Sequence, residues 1–202
     1  VYLWFFLMYA IHPRCAVNII IPIKVMKKKG LFFIYFLCFF SGMMIGNFYK
    51  PEISKKIEQI IEREAKAFAL DSDLVKAITL IESSGFEKAI SRKGARGMMQ
   101  LMPDTAKQMA KELNMVLEPD SLLLPEINIR LGCYYLYQLL RKFQGDLVAV
   151  LAGYNTGPFR VAEWLSQHQE ASTMQILEAK ASPQTRIFVK RVLLYYQKEK
   201  NK

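Results

Sequence analysis

One feature constrains the fold of this chain more than any other: an apolar helical stripe that runs directly into a carboxylate. The stripe has the i, i+3, i+4, i+7 spacing of a buried helical face, and its members are Leu74, Ala77, Ile78 and Ile81. Glu82 follows Ile78 by four residues and continues the same face. Because burial disfavours the charged form, a Glu at this position holds its proton near neutral pH, as a general acid requires. The helical spacing by itself is also consistent with Glu82 being a solvent-exposed residue in the last turn of the helix.

The residues that follow Glu82 form a loop suited to close approach of a ligand. Ser83, Ser84 and Gly85 break the helix, and a polar loop opens at Ser91. Glycines at positions 94 and 97 then bracket an Ala-Arg pair ahead of the run Met-Met-Gln-Leu-Met-Pro at residues 98–103.

This order of residues resembles the soluble, lysozyme-like family of lytic transglycosylases. That family has a helix ending in Glu-Ser, a Ser nine residues after the Glu, and then Gly-Ala-x-Gly-x-Met-Gln-x-Met-Pro. The matching residues are Glu82-Ser83, Ser91 and the segment 94–103, and two later blocks at 128–136 and 153–158 match as well. Because order and spacing are kept over roughly residues 52–195, the resemblance is far more specific than a single short motif.

The resemblance implies an all-α, lysozyme-like domain that acts as a lytic murein transglycosylase, a carbon-oxygen lyase acting on peptidoglycan. In this family a single Glu protonates the glycosidic oxygen of the MurNAc-GlcNAc β-1,4 bond. The same carboxylate then takes the proton of the 6-hydroxyl, which gives a 1,6-anhydro-MurNAc end without water. The resemblance assigns this role to Glu82, needs no cofactor or metal, and makes the glycan strands of peptidoglycan the partner.

The resemblance also carries over a set of substrate-binding positions, which are Ser91, Gln100, Met102, Tyr135, Tyr154 and Asn155. Ser91 and Gln100 match positions near the Glu and the sugar N-acetyl group. Met102 matches a wall of the sugar pocket, although its apolar surroundings equally fit core packing. Tyr135 matches a cleft tyrosine but lies on a helix rich enough in apolar residues to place it in the core. One departure is Phe188, where the family often has Tyr, so that one hydroxyl of the site is in doubt.

The sequence offers few of the residues that other classes of catalytic site require. His12 and His168 are the only histidines, which disfavours a Ser-His-acid triad and a catalytic zinc site. Glu87 and Asp104 are the acids nearest to Glu82 in the loop, and we interpret them as a solvated residue and a helix-start charge. Three functions remain: the transglycosylase, a goose-type-like muramidase that uses water, and an inactive peptidoglycan-binding module.

The N-terminal part has a different composition. We interpret residues 1–25 as a gene-model extension upstream of Met26, residues 26–47 as a signal peptide or signal-anchor, and residues 48–202 as the catalytic domain. Three lysines at 27–29 precede an apolar run, and no good small-x-small cleavage site follows. The sequence therefore predicts attachment to a membrane through this segment, or else export after cleavage, with the domain on the periplasmic or extracytoplasmic side of a bacterial envelope.

The charge of the chain suits an anionic partner. The formal net charge is +10, and the N-terminal 47 residues, which contain five Lys or Arg and no acid, supply half of it. We find no nucleic-acid-binding motif, and the sequence does not indicate an oligomeric state. Only Cys133 lies in the domain, so no internal disulfide is available there.

The domain sequence predicts helices and no strands. Three helices have only a predicted start, at Pro51, at a cap on Asp71 or Ser72, and at Pro158. Four others have a predicted range: Pro103 to about Leu113, Pro125 to near Gly145, a cap at Asp146 through Tyr154, and Pro183 to Gln197.

Overall fold

The computed structural model describes residues 53–118 and 120–201, and the fold of these ranges is helical, as the sequence predicts. The helices are α1 Lys55–Ala67, α2 Ser72–Ser83, α3 Pro103–Glu112, α4 Pro125–Lys142, α5 Leu147–Thr156, α6 Pro158–Gln167, α7 Thr173–Lys180 and α8 Pro183–Lys200, with a short 3-10 helix Ser121–Leu123 before α4. None of the helices in these ranges is long and apolar enough to cross a membrane. The predicted extension and signal or anchor at 1–47 lie outside the described residues.

Side-chain caps set the start of five of the eight described helices. Asp71 accepts a hydrogen bond from the Asp73 N–H and caps α2, and Asp146 caps α5 in the same way. The prediction that the first helix begins at Pro51 is wrong. The Ser54 hydroxyl accepts from the N–H of Ile57, which sets the start of α1 at Lys55.

Helix α7 is absent from the sequence prediction, and the ends of helices α4 and α8 lie three residues from their predicted positions. A capping box between Ser172 and Gln175 starts α7, and only Ile176 and Leu177 of this helix are buried, so no apolar stripe marks it. Helix α4 ends at Lys142, short of Gly145, because the chain turns there through left-handed backbone. Helix α8 runs three residues beyond Gln197, to Lys200.

Two hydrophobic clusters hold the helices together. The larger one joins α2 to its neighbours α1 and α8 and includes α4 and α5, and the smaller one lies between α3 and α4. The loop after α2 contributes to both, because Met98 and Met99 belong to the larger cluster and Leu101 to the smaller. This loop is therefore fixed between two packed regions.

A buried ion pair adds a link between α1 and α4. Glu64 is only 3% exposed, and its carboxylate lies 2.8 Å from Nε of Arg63 and 3.2 Å from Nη1 of Arg130. The two guanidinium groups compensate a charge that would otherwise be costly to bury.

We expect residues 51–202 to fold without the preceding segment. Contacts within the chain separate this stretch as a unit, and it contains the described members of both clusters. A domain of roughly 150 residues can bury enough surface for independent stability. Far-UV circular dichroism during urea unfolding should show a helical fragment with one sigmoidal transition. A gradual loss of signal without a transition would contradict the expectation.

Candidate functional site

Glu82 lies in the last turn of α2, and its surroundings are neutral. Burial raises the pKa of its carboxyl to about 7. No described residue forms a hydrogen bond or an ion pair with this carboxylate. The side chain keeps part of its surface open to solvent. At neutral pH the carboxyl is therefore present in both protonation states and can be reached from outside.

The chain turns away directly after Glu82. Ser84 adopts left-handed backbone with φ 54°, and its N–H donates to the carbonyl of Leu80 at 2.9 Å. Gly85 follows with φ 83°, which a residue without a Cβ adopts at little cost. This end of α2 leaves Glu82 at the edge of the packed helix.

Tyr154 lies near this carboxyl, and Tyr135 packs against Tyr154. The Tyr154 hydroxyl donates to the Met99 carbonyl at 2.8 Å, and its ring centroid is 5.3 Å from that of Tyr135. Burial, followed by the negative charge of Glu82, raises the pKa of Tyr154 well above its usual value. Burial also raises the pKa of Tyr135 to about 12. Both phenols therefore stay neutral at physiological pH, and the charge of Glu82 reaches Tyr154.

Phe188 completes the aromatic group from α8. Its ring is stacked on Tyr154 with centroids 6.5 Å apart and 13° between the planes, and it is 7% exposed. At the position where a Tyr is common in the resembled family, this chain thus has an apolar ring that packs against Tyr154.

The loop between α2 and α3 is more ordered than the sequence prediction of a polar loop implies. Arg96 is paired in isolated antiparallel bridges with both Ile90 and Leu101. The N–H of Leu101 donates to the Arg96 carbonyl at 3.0 Å, and the N–H of Gly97 donates to the Ala89 carbonyl at 2.8 Å. The backbone groups of the loop therefore hold one another in a folded shape.

Gln100 and Ser91 are both fixed by this loop. Gln100 has φ 46°, a left-handed conformation that costs a residue with a side chain about 1 kcal/mol. Its amide nitrogen donates to the carbonyls of Ala89 at 3.1 Å and Gly97 at 2.8 Å. The Ser91 hydroxyl accepts from the Ala95 N–H at 3.0 Å. These bonds use the amide donors of Gln100 and an acceptor of Ser91, and the predicted sugar contacts of both residues stay predictions.

The structure separates the three methionines of the loop. Met98 and Met99 are fully buried, whereas Met102 is 44% exposed immediately before α3. The core interpretation of Met102 is therefore wrong, and its role as a wall stays a prediction. Asn155 is also exposed, one residue beyond Tyr154 on α5.

Asn128 has a structural role that the sequence prediction did not include. This residue is fully buried on α4, and its Oδ1 accepts from the Met99 N–H at 2.7 Å. Its Nδ2 donates to the carbonyls of Arg96 and Leu122, each at 2.9 Å. A Cβ at Gly97 would lie 2.3 Å from that Nδ2, so this close approach requires glycine. The sequence signal for this role was a polar amide at position 128, flanked along the chain by Ile127 and Ile129.

Within residues 53–118 and 120–201, no three His, Cys, Asp or Glu side chains lie close enough together to hold a metal ion. Cys133 is a buried free thiol, and burial raises its pKa above the usual value.

Comparisons with known proteins find relatives of this chain. The sequence model described as "Transglycosylase SLT domain" matches residues 59–177. The soluble lytic murein transglycosylase of Salmonella typhimurium is 32% identical over 139 residues, which are 67% of this chain and 22% of that protein. The membrane-bound lytic murein transglycosylase E of Buchnera aphidicola is 29% identical over 77% of this chain and 85% of that protein.

A solved structure shows the same fold. The lytic transglycosylase Slt of Pseudomonas aeruginosa, crystallised as an inactive mutant with Gln in place of a Glu, superposes with a TM-score of 0.65 and 37% identity. The match covers 71% of this chain and 24% of that one. The chain thus spans about a quarter or less of the longer soluble proteins that it matches.

The raised pKa of Glu82 makes stability depend on pH. The carboxyl titrates near 4.5 in the unfolded chain and near 7 in the folded one. The stability contributed by the protonated form is thus fully present below 4.5 and lost as the pH rises through about 7. We expect Glu82→Gln to remove this loss, so that its stability relative to wild type grows by up to about 3 kcal/mol between roughly pH 4 and pH 8. Urea unfolding across that range measures it, with exposed Glu87→Gln as the control. Identical pH profiles for Glu82→Gln and wild type would show that Glu82 is not desolvated.

The three hydrogen bonds of Asn128 predict a large effect of removing its amide. Asn128→Ala leaves the Met99 N–H and the Leu122 carbonyl without partners, at about 1 to 3 kcal/mol for each group, and the Arg96 carbonyl keeps only its bond from the Leu101 N–H. We expect the free energy of unfolding to fall by about 3 kcal/mol or more. Asn155→Ala, which removes an exposed amide, should change it by less than about 0.5 kcal/mol. Chemical denaturation of both variants tests this, and equal effects would mean that burial of the Asn128 amide has no energetic consequence.

Proposed function

Because the chain belongs to the transglycosylase SLT domain family, we propose that its domain is a lytic murein transglycosylase acting on peptidoglycan. The observation that carries the proposal is the isolated carboxyl of Glu82, whose pKa of about 7 suits an acid that must also act as a base. The proposed reaction cleaves the MurNAc-GlcNAc β-1,4 bond and leaves a 1,6-anhydro-MurNAc end.

In the first step the protonated Glu82 donates its proton to the glycosidic oxygen. The bond between this oxygen and C1 of MurNAc breaks, the GlcNAc end leaves as an alcohol, and the N-acetyl group of MurNAc helps to stabilise the positive charge at C1. A carboxyl with a pKa near 4.5 would rarely hold its proton at neutral pH, so the raised pKa is what makes this step available.

In the second step the Glu82 carboxylate removes the proton of the 6-hydroxyl of the same sugar. The 6-oxygen then forms a bond to C1, and the proton of the 6-hydroxyl returns Glu82 to its protonated form. No water is consumed, so a second carboxylate to activate water is not required. Exclusion of water from C1 in favour of the 6-hydroxyl is thus the main demand on the sugar site.

Neutral groups surround the reacting bond in this proposal. Gln100 offers its amide oxygen and Ser91 its O–H to the N-acetyl group, because their bonds to the loop use the other ends of these side chains. Uncharged partners orient the sugar without an ion pair that would lower the pKa of Glu82.

The remaining predicted residues fit the edges of the same site. Tyr154 and Tyr135 donate their hydroxyl protons to backbone carbonyls, and the phenol oxygen of Tyr154 keeps an acceptor for a sugar hydroxyl. Met102 and Asn155 are exposed and can supply an apolar wall and an amide contact. The inactive Glu-to-Gln mutant of the Pseudomonas protein supports an essential carboxyl in this family.

We further propose that the enzyme works in the bacterial cell envelope, on the extracytoplasmic side. The support is the basic and then apolar composition of residues 26–47, together with a similar protein that is described as membrane-bound. In this arrangement the N-terminal segment directs the domain to its polymeric substrate by export or by anchoring.

The proposal predicts the product and its dependence on Glu82. Wild-type protein should release soluble muropeptides from purified peptidoglycan, and mass spectrometry should show ends one water lighter than reducing ends. Glu82→Gln keeps the shape but cannot transfer the proton, so release should fall by about 10² or more while thermal melting shows an intact fold. Exposed Glu87→Gln should keep wild-type release.

Other outcomes would replace the proposal. Reducing ends would indicate a muramidase that uses water, and binding to peptidoglycan without release would indicate a binding module. A folded Glu82→Gln variant with wild-type release would show that another group is the acid.

A further inference from the structure

The outer face of α8 carries exposed apolar side chains that the proposed reaction does not use. Ile187 is 57% exposed and Leu194 is 67% exposed, and they lie seven residues apart on the same side of the helix. The opposite side is the packed one, where Phe188 meets Tyr154 and Val189 and Val192 are fully buried. A partner that binds the outer face would therefore not touch the side of α8 that packs against Tyr154.

Cations flank these apolar side chains. Lys190 and Arg191 lie between Ile187 and Leu194 along the face, and Lys198 follows Leu194 by one turn. All three are exposed. We name Ile187, Lys190, Arg191, Leu194 and Lys198 the α8 outer face.

The charge of α8 is strongly unbalanced. Its basic residues are Arg186, Lys190, Arg191, Lys198 and Lys200, and its one acid is Glu199. Glu178 pairs with Lys190 at 2.6 Å, and Asp71 pairs with Lys200 at the same distance. Arg191 and Lys198 have no ion-pair partner among the described residues. These two positive charges on either side of Leu194 remain available to an external anion.

We propose that the α8 outer face docks on an anionic lipid surface. A helix that lies in a membrane interface combines an apolar strip, which enters the headgroup region, with Lys and Arg at its edges, which contact anionic headgroups. The long side chains of Arg191 and Lys198 can keep their charges at headgroup level while Leu194 lies deeper. This inference concerns the placement of the domain and does not depend on its proposed activity.

The pattern favours lipid over a wall polymer as the occupant. A hydrated anionic polymer would use the cations and leave Ile187 and Leu194 in water. A lipid interface uses both, because burial of apolar surface and attraction between opposite charges act on the same five residues. Two exposed branched side chains within one cationic strip thus match the interface of a bilayer better than a soluble polyanion.

The experiment uses residues 51–202 once circular dichroism has shown this fragment to be folded; the fragment contains the described members of both hydrophobic clusters and lacks the apolar N-terminal segment. Binding is measured by sedimentation with vesicles of equal parts phosphatidylglycerol and phosphatidylcholine, and with vesicles of phosphatidylcholine alone. The variants are Arg191→Gln with Lys198→Gln, and Ile187→Ser with Leu194→Ser. The matched control is Lys107→Gln with Lys111→Gln, which removes the same charge from exposed positions of α3.

We expect binding to the anionic vesicles only, with weaker binding at high salt. The charge variant should bind about tenfold or more weakly, and the apolar variant should also lose affinity at unchanged charge. The control should stay within about twofold of wild type, and thermal melting should be unchanged for all variants because the altered side chains are exposed.

Three results would overturn the proposal. One is failure of the wild-type fragment to bind anionic vesicles. A second is equal loss of binding in the control, which would indicate attraction by net charge alone. The third is that the α8 variants lose binding to purified peptidoglycan but keep binding to vesicles, which would assign the face to the polymer.

Discussion

The site depends on a single buried amide more than on any other contact. Asn128 accepts from the N–H of Met99, and the carbonyl of the same Met99 accepts from Tyr154. The residue before Gln100 is thus held from α4 on one side and from α5 on the other. Gly132 permits this geometry, because a Cβ there would lie 2.3 Å from the sulfur of Met99. The position of the loop relative to both helices therefore follows from hydrogen bonds that tolerate little change.

Two buried carboxylates differ in whether a cation compensates their charge. This difference suits one of them to acid catalysis and the other to holding helices together. Glu64 is nearly inaccessible, but Arg63 and Arg130 bond to it and compensate its charge. Glu82 is less deeply buried and forms no ion pair with a described residue, so desolvation acts on it without a cation to oppose it. Burial alone is thus no mark of a catalytic acid, whereas burial without a compensating partner changes the protonation equilibrium.

Much of the fold could be predicted because it rests on local rules. The apolar stripe through Ile78 and the caps at Asp71 and Asp146 need only neighbouring residues, and the structure has α2 and α5 where these signals place them. Helix α7 lacked such a stripe. The Asn128 network could not be predicted because its partners lie up to 32 residues away, and periodicity does not say which buried amide meets which backbone group. The motif order predicted Glu82 as the acid, but only the fold shows which groups surround its carboxyl.

Several costly features of the domain occur in and around this loop. Gln100 adopts left-handed backbone, Gly97 must approach Asn128 closely, and Glu82 is desolvated without an ion pair. Each of these features lowers stability, and a loop with only its own contacts would relax out of such a conformation. Here Met99 and Leu101 anchor the loop in two different hydrophobic clusters, so relaxation would expose both. The apolar packing around the loop is therefore what allows strained and desolvated groups to persist at the position where the proposed chemistry needs them.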